Sequence, residues 1–518
     1  MNTFITRHAQ KITGSLTCFD RLVFHGHLPI NYSENLHRFI RQQGLKLEDF
    51  SRFVQRHSEH LRQSAEQMAA KARRPFIYLQ HFSRKEDLAR RIAEKDKITQ
   101  GLVCILRATE TCRSFGVRRT GNGTNLRLTP MPRRCLHLYF YFLDRQLGWL
   151  YVRLQTWFPF LIQIGINGHE VLARQLDRRC IPYTRCDNAF TSIKNLPHAQ
   201  RLADGLADRN WIPFLDNLAR QVNPLLHSLL RTNRYYWVTD QCEVATDVLF
   251  QNQPALQPLY TSLLRHTTLC FSPNDILGFL GRKLHGLFKG DVFTEYKHRQ
   301  WGVRVKHRVQ GNWIKMYNKA GQILRVETVI NDPHAFLVRR TRTKRNGQRV
   351  KGWFPLPKSV AFIGQYFRLA RQSNSRYLEA LAAVEDPTLA YREIQRISAP
   401  ARLHGRTARP LNPLAPDDHA LLQAVLRGEN LIHGFRNEHI RQQIYPAPSS
   451  DPLQQKRLSA RIRRKLLMLR AHKLIARVPR SRRYVITALG YRLIAAAIYY
   501  SKEDLPNHML ALKASIPA

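Results

Sequence analysis

Positive charge is spread over the whole sequence, and it limits both how the chain can fold and what it can bind. The 518 residues include 83 Lys and Arg but only 37 Asp and Glu, which gives a formal net charge of +46. Such a chain repels itself unless a polyanion or counterions surround it. Because 43% of the residues are apolar, the charge belongs to folded domains rather than to a disordered basic tail. A phosphate backbone is the natural neutraliser, so we predict nucleic-acid binding; a generally basic or ribosome-associated protein is the alternative.

The length predicts two to four domains, because a single hydrophobic core rarely grows this large. Hydrophobic periodicity alternates between the helical and the strand type, so we expect an α+β, multidomain fold with a mixed α/β core and a β-meander. The expected segments are an N-terminal strand plus helices (1–75), the mixed core (76–340), a basic segment with helices (341–398), a proline-rich linker (399–416) and a C-terminal module (417–505).

Cysteine spacing and hydropathy exclude two further classes of protein. None of the eight cysteines forms a CxxC pair, and no Cys/His cluster has zinc-finger spacing, so we expect buried, reduced thiols. The N-terminus has no apolar core of a signal peptide, and the most apolar run, around 150–166, is interrupted by Arg153, Gln155 and Gln163. We therefore expect no membrane partner and a cytoplasmic, nucleoid-associated protein.

The C-terminal module follows a specific order of elements. A helix is predicted over 417–426, a second one from an N-capping Asn437 to Tyr445, and a third over 454–472. A strand, a basic turn, a return strand and a closing helix over 491–500 complete it. This order resembles the winged helix-turn-helix of MarR-like DNA-binding proteins. The resemblance implies that the third helix enters a DNA groove and that the basic turn contacts phosphates; protein contact or dimerisation is the alternative. The implied DNA-binding residues are Arg457, Arg461, Arg464, Lys465, Arg480, Arg482 and Arg483.

The predicted β-meander contains a second motif. Apolar and polar residues alternate along three successive segments, with glycines at both turns between them. The apolar positions are Val303 and Val305, then Ile314 and Met316, then positions within Leu324 to Ile330. Tyr317 and Lys319 precede Arg325-Val326-Glu327, which resembles the Tyr-Asp-Lys and Arg-Val/Ile-Glu segments of plasmid and phage rolling-circle replication initiators. Asn318 stands at the usual aspartate position, and His25-Gly26-His27 is the nearest approach to the paired-histidine motif.

That resemblance implies catalytic roles for Tyr317, Lys319 and Glu327. The tyrosine would attack a DNA phosphate, the lysine would stabilise the charge, and a metal would polarise the phosphate. An ordinary β-meander that binds phosphate without cutting is the alternative interpretation.

Three acidic residues could hold the metal. Asp240, Glu243 and Asp247 stand at i, i+3 and i+7, which places them on one face if the segment is helical. Oxygen ligands suit Mg²⁺ or Mn²⁺. A structural ion-pair face among the many arginines is the alternative.

A dense basic segment, RRTRTKRNGQRVKGW, covers 339–353 and has Asn346-Gly347 in its middle. It is predicted either to be a hairpin that folds over a duplex or to be a solvated loop. The candidate contacts are Arg339, Arg340, Arg342, Lys344 and Arg345.

Three functions are therefore open. The first is a nucleic-acid-binding protein, with DNA as the preferred partner, a mobile-element origin and no cofactor needed for binding. The second is a tyrosine- and metal-dependent DNA nickase that needs Mg²⁺ or Mn²⁺, so whether the protein is an enzyme stays open. The third is a component of a structured-RNA ribonucleoprotein. No phosphate-binding P-loop and no GxSxG elbow occur, which argues against nucleotide hydrolysis and serine-hydrolase chemistry.

Overall fold

The computed structural model contains two units, each assembled from segments that are distant in sequence. Unit 1 comprises 1–14, 248–326 and 372–518, and unit 2 comprises 15–247 and 327–371. The structure describes residues 3–80, 84–120, 125–282, 290–344, 346–382, 384, 397–403, 405–412, 415–427, 430, 434–446, 451–479 and 481–499.

Unit 2 is built on a mixed β-sheet. Its strands are β1 (Ile12–His27), β2 (Phe76–Tyr78), β3 (Gly101–Thr120), β4 (Asn125–Asp144), β5 (Gly148–Gln155), β6 (Ile162–Asn167), β9 (Tyr236–Phe250) and the end of β13 (Ile323–Ile330), in the order β13-β9-β1-β6-β5-β4-β3-β2. The short β2 runs parallel to β3, and β3 through β6 pair antiparallel. Two hairpins stand apart from this sheet, β7 (Tyr183–Arg185) with β8 (Phe190–Ile193), and β14 (Leu337–Thr343) with β15 (Arg349–Pro355).

Helices cover the apolar surfaces of this sheet. They are α2 (Ser33–Gln42), α3 (Phe50–Lys71), α4 (Lys85–Lys95), α5 (Gly168–Asp177), α6 (Leu196–Gly205), α7 (Ile212–Val222) and the start of α10 (Ile363–Leu381). Leu172 and Leu176 of α5 pack with Leu16 and Cys18 of β1 in one buried cluster. Ala89 of α4 lies in another cluster with residues of β3 and β4. Helix α5 is therefore fixed directly against β1.

Unit 1 contains the β-meander. Strands β10 (Val292–Arg299), β11 (Gly302–Val309) and β12 (Asn312–Lys319) precede the start of β13, and they lie in the order β10-β11-β12-β13. Helices α1 (Thr3–Arg7), α8 (Gln253–Cys270), α9 (Pro273–Phe279) and the end of α10 belong to the same unit. Leu263, Ile314, Leu324 and Tyr377 meet in its buried core.

The C-terminal part of unit 1 has a core of its own. Its elements are β16 (Ala401–Leu403), β17 (Arg406–Ala408), α11 (Pro416–Val425), α12 (Asn437–Ile444), α13 (Pro452–Ala471), β18 (Ile475–Arg477), β19 (Tyr484–Ile486) and α14 (Ala488–Tyr499). Buried Leu421, Ile440, Ile462, Leu466 and Ile494 join the helices. Phe435 forms an isolated antiparallel β-bridge with Tyr484 of the β18–β19 hairpin.

Several predictions of secondary structure are confirmed. The mixed α/β character, the first strand, the meander with its turns at 310–311 and 320–321, and the hairpin around Asn346-Gly347 are all present. Within the described parts of the chain, every helix is too short or too polar to cross a membrane.

Other predictions need correction. Residues 236–250, which include Asp240, Glu243 and Asp247 of the expected helical face, form the buried strand β9. The segment 399–416 contains two paired strands, and Leu411 is buried in the C-terminal core. Asn437 is the first residue of α12 rather than its cap. Its amide donates to the carbonyl of Ser459 at 3.0 Å, so it fastens α12 to α13.

Candidate nucleic-acid interface and carboxylate site

The basic segment of unit 2 folds as an antiparallel hairpin. Strand β14 pairs with β15 from Leu337 opposite Pro355 to Thr343 opposite Arg349. Gly347 has a φ of +80° at the turn, a conformation that costs glycine little. Residues 337–355 include seven Lys and Arg and neither Asp nor Glu. A two-stranded ribbon of this charge has the dimensions to enter a major groove.

One face of the hairpin combines cations with an exposed indole. Side chains alternate between the two faces of a strand, and Arg339 stands opposite Trp353, Thr341 opposite Lys351, and Thr343 opposite Arg349. The three cations of this face are exposed, and Trp353 is 68% exposed. Cations that contact phosphates and an aromatic ring that stacks on bases are the two elements of single-strand binding.

The other face holds two of the predicted contacts against an aromatic ring. The guanidinium groups of Arg340 and Arg342 lie 5.5 and 5.9 Å from the ring centroid of Phe354, a cation–π distance. Lys344 is exposed beside the turn, and Arg345 lies outside the described residues. The ribbon is therefore positively charged on both faces.

The predicted basic side chains of α13 lie on the surface of the C-terminal core. Arg457, Arg461 and Arg464 are exposed. Arg461 donates to a carboxylate oxygen of Asp417 at 3.4 Å, and the ammonium of Lys465 donates to the Asp417 carbonyl at 3.1 Å. Two of the four predicted contacts on this helix are thus held by α11.

A basic groove adjoins that helix. A cavity of about 850 Å³ is lined by α13 and by residues of the β16–β17 region. Its cationic lining consists of Arg409, Arg461, Arg463, Arg464 and Lys465. Arg409 also forms an ion pair with Asp418 at 2.6 Å, and that guanidinium helps to hold the pKa of the Asp418 carboxyl below its ordinary value against the opposing effect of burial. The lining of this groove is therefore rich in cationic side chains.

The turn between β18 and β19 carries the remaining predicted contacts. Arg482 is exposed and Arg483 is half-buried, while Arg480 lies outside the described residues. Arg477 of β18 donates to the carbonyl of Ser481 at 3.0 Å, and the Arg483 amide donates to the Ser481 hydroxyl at 3.1 Å. Both hydrogen bonds converge on Ser481 and stabilise the turn.

Three carboxylates from adjacent strands of unit 2 meet at one point. Asp20 of β1, Glu243 of β9 and Glu327 of β13 each place a carboxylate oxygen within 4.8 Å of the other two. Glu243 and Glu327 are buried, and Asp20 is half-buried. The Asn188 side-chain amide donates to Asp20, and that of Gln241 donates to Glu243 at 2.7 Å. Carboxylates this close also repel one another, and nearby positive charge or a proton offsets that repulsion. Their oxygens are the ligands that Mg²⁺ and Mn²⁺ prefer.

A histidine of α5 joins this carboxylate group to a fourth acid. The ring of His169 lies 3.1 Å from an oxygen of Asp20 through Nδ1, and 3.7 Å from an oxygen of Asp247 through Nε2. Both His169 and Asp247 are 1% exposed. The imidazole therefore lies between the carboxylates of β1 and β9.

The start of α5 explains how the histidine reaches this position. Asn167 caps the helix by accepting a hydrogen bond from the amide of Glu170 at 3.0 Å. At Gly168, an added Cβ would lie 2.1 Å from the carbonyl oxygen of Phe19. Only glycine permits this approach of the helix to β1, and the approach places His169 beside Asp20.

The three residues predicted to bind a metal together do not form one site in the structure. Because residues 236–250 are a strand, Asp240, Glu243 and Asp247 do not share a helical face. Asp240 instead contacts His25 at 3.6 Å and Lys358 at 3.0 Å. The His25 imidazole, followed by the Lys358 ammonium, holds the pKa of the Asp240 carboxyl well below its ordinary value. Only Glu243 belongs to the three-carboxylate group, and Asp247 reaches it through His169.

The tyrosine motif lies mainly in unit 1. Tyr317 and Lys319 are half-buried residues of β12. Glu327 follows on β13, in the part of that strand that belongs to unit 2. The three residues therefore stand on neighbouring strands of a β-meander, as their spacing predicts.

Comparison with known proteins gave no match. No family model, curated protein or solved structure matches this chain.

Sequence reasoning missed Asp20, His169 and Trp353. Asp20 and His169 join the carboxylate group through strand pairing between distant segments, which no local pattern reveals. Trp353 carried a usable signal, because strand alternation from Arg349 places Lys351 and Trp353 on the same face.

Proposed function

We propose that this protein binds nucleic acid, with DNA as the preferred partner, and that the β14–β15 hairpin is a principal contact. The exposed face with Arg339, Arg349, Lys351 and Trp353 is the observation that carries the proposal. Exposed cations with no acidic neighbour in the ribbon favour phosphate over a protein partner. The formal net charge of +46 supports further contacts elsewhere on the surface.

The C-terminal core is proposed as a second contact, acting as a winged helix-turn-helix. Support comes from the order α11, α12, α13, β18, β19 and from the basic groove along α13. With Arg461 and Lys465 held by Asp417, Arg457 and Arg464 become the side chains free to approach a DNA groove. Arg482 would contact adjacent phosphates from the turn.

Competition between ligands tests the DNA preference. Fluorescence anisotropy would follow the full chain bound to labelled duplex DNA while unlabelled duplex or a structured RNA of equal phosphate content is added at fixed salt. Stronger competition by duplex supports the proposal. Stronger competition by RNA would instead assign the protein to a ribonucleoprotein, and equal, salt-sensitive competition would leave charge alone as the basis of binding.

A metal-dependent DNA nickase is the second candidate, and one observation favours it. Asp20, Glu243 and Glu327 converge within 4.8 Å, as a divalent-metal site for phosphodiester cleavage requires. A bound Mg²⁺ or Mn²⁺ would polarise the phosphate and neutralise charge that develops on it. In the rolling-circle version, the Tyr317 oxygen bonds to phosphorus while the bond from phosphorus to the 3′ oxygen breaks.

A nicking assay with matched variants tests this second candidate. Supercoiled plasmid carrying the gene's own flanking DNA would be incubated with Mg²⁺ or Mn²⁺, or with EDTA. Glu243→Gln should abolish relaxed circles, whereas Asp240→Asn, a change on the same strand outside the three-carboxylate group, should preserve them. If Glu243→Gln still nicks the plasmid, the three-carboxylate group takes no part in the reaction. If protein becomes covalently attached to the DNA in the parent but not in Tyr317→Phe, Tyr317 is the nucleophile.

A further inference from the structure

A second group of potential metal ligands lies on strands β3 and β4 of unit 2, and it consists of soft donors. The Sγ atoms of Cys112 and Cys135 are 2.9 Å apart, and the Cys135 Sγ lies 3.9 Å from Nδ1 of His137. One ligand atom from each of the three residues lies within 4.8 Å of the others. Cys135 and His137 are buried, and Cys112 is half-buried.

Strand pairing creates this group. Cys135 stands opposite Glu110, and Cys112 stands opposite Arg133 in the β3–β4 register. Residues two apart on a strand share a face, so Cys112, Cys135 and His137 point to the same side of the sheet. The intervening segment is long, and no zinc-finger spacing is therefore visible in the sequence.

An open space adjoins the ligands. A cavity of about 230 Å³ is lined by Cys112 and His137 together with His25, Arg153, Gln155 and Gln163. His25, Arg153, Gln155 and Gln163 contribute polar side chains to this lining, which can bind water. A cation held by the three side chains would therefore have room for a fourth ligand from this cavity.

We propose that Cys112, Cys135 and His137 bind a zinc ion whose fourth coordination position opens into this cavity. Two thiolates and one imidazole are a known zinc ligand set, and three protein ligands leave one position free. The donors differ from the oxygen set of Asp20, Glu243 and Glu327, so the two sites would select different metals. Two thiolates would neutralise the charge of the ion, and Arg153 of the lining shares the Glu110 carboxylate with Lys85, each at 2.9 Å.

A disulfide between the two cysteines is the competing arrangement. It requires sulfurs about 2.05 Å apart, whereas tetrahedral zinc with bonds of about 2.3 Å requires about 3.8 Å. The observed 2.9 Å lies between these values. Nδ1 of His137 also lies 3.2 Å from the Cys135 carbonyl oxygen, a contact that a bound cation would replace. The convergence of a third donor on the two sulfurs favours the metal.

Cobalt substitution tests the proposal. The full chain would be purified with a phosphine reductant, stripped with a chelator and titrated with Co²⁺ alone and then with Zn²⁺ alone. The expected result is one equivalent of Co²⁺ with sulfur-to-cobalt charge-transfer absorption, displaced by Zn²⁺. Cys112→Ser should remove that absorption, and His137→Gln should weaken binding by at least about 100-fold.

A control variant and a thiol count complete the test. The exposed Cys180 and Cys186, replaced together by serine, should leave the absorption unchanged, and circular dichroism would confirm that each variant is folded. Charge-transfer absorption that persists in folded Cys112→Ser, or that never appears, overturns the proposal. In protein prepared without reductant, two thiols that stay unreactive after denaturation in EDTA would assign a disulfide instead, whereas two thiols that Zn²⁺ protects and EDTA releases would support the metal site.

Discussion

The charged face of the β14–β15 hairpin gives a quantitative prediction for DNA binding. Arg339, Arg349 and Lys351 share this face and are exposed. Replacing all three by glutamine removes three positive charges while keeping polar side chains of similar reach. The fold should tolerate the change, because no buried group is altered.

The expected effect follows from counterion release. Each phosphate contact on duplex DNA contributes about 0.9 to the slope of log K against log salt. If each cation contacts one phosphate, the triple variant should lower the slope by about 2.7. Between 50 and 200 mM salt, the affinity of the parent protein should therefore fall about 40 times more than the affinity of the variant.

Anisotropy titrations with a labelled duplex at four or five salt concentrations would measure both slopes. A matched control replaces three exposed cations of the same unit, Arg52, Lys71 and Arg84, by glutamine. It removes the same net charge at sites outside the hairpin, so its slope should stay close to that of the parent protein. Equal slopes for the hairpin variant and the control would show that general charge, and not this hairpin, contacts DNA.

Three further results are expected. Trp353→Ala should weaken binding of single-stranded DNA by about 1–3 kcal/mol in anisotropy titrations with little change in thermal stability, since the ring is 68% exposed; unchanged affinity would exclude stacking. Burial lowers the pKa of His307 to about 3, so below about pH 6.5 the unfolded chain binds a proton that the folded chain does not. The free energy of unfolding in urea should therefore fall by about 2 kcal/mol from pH 7 to pH 5 through this residue, and His307→Gln should lack that decrease. Equal decreases in the parent protein and the variant would contradict this prediction. Gly168→Ala should destabilise the fold by about 1–3 kcal/mol in denaturant unfolding, because its Cβ would lie 2.1 Å from the Phe19 carbonyl oxygen, and an unchanged midpoint would mean that α5 can move away from β1.

Local patterns predicted the elements whose side chains alternate or recur on one face. The meander was visible because Val305, Ile314 and Met316 point into a core while their neighbours do not. Strand β9 could not be recognised from the sequence, because nearly all of its residues are buried. A strand that is buried on both faces shows no alternation of apolar and polar residues. The spacing of Asp240, Glu243 and Asp247 then suggested a helix.

The carboxylate group shows what single-sequence reasoning cannot reach. Glu243 and Glu327 were both named as candidates, but nothing local links them to each other or to Asp20. Their convergence depends on the strand order β13-β9-β1, which is determined by packing between distant segments. The same applies to Cys112 and Cys135, whose pairing depends on the β3–β4 register.

The path of the chain between the two units limits how this protein can be divided. The unit boundaries fall at 14–15, 247–248 and 326–327, inside strands β1, β9 and β13, and at 371–372, inside helix α10. A gene fragment that stops inside one of these strands would encode a severed strand and leave its neighbour's backbone groups unpaired, which favours aggregation. Two co-expressed halves of the protein would also fail to form separate folded units, since each unit contains segments from both halves of the sequence. Truncation should therefore begin in the segment after Leu381, where the chain has passed its last crossing.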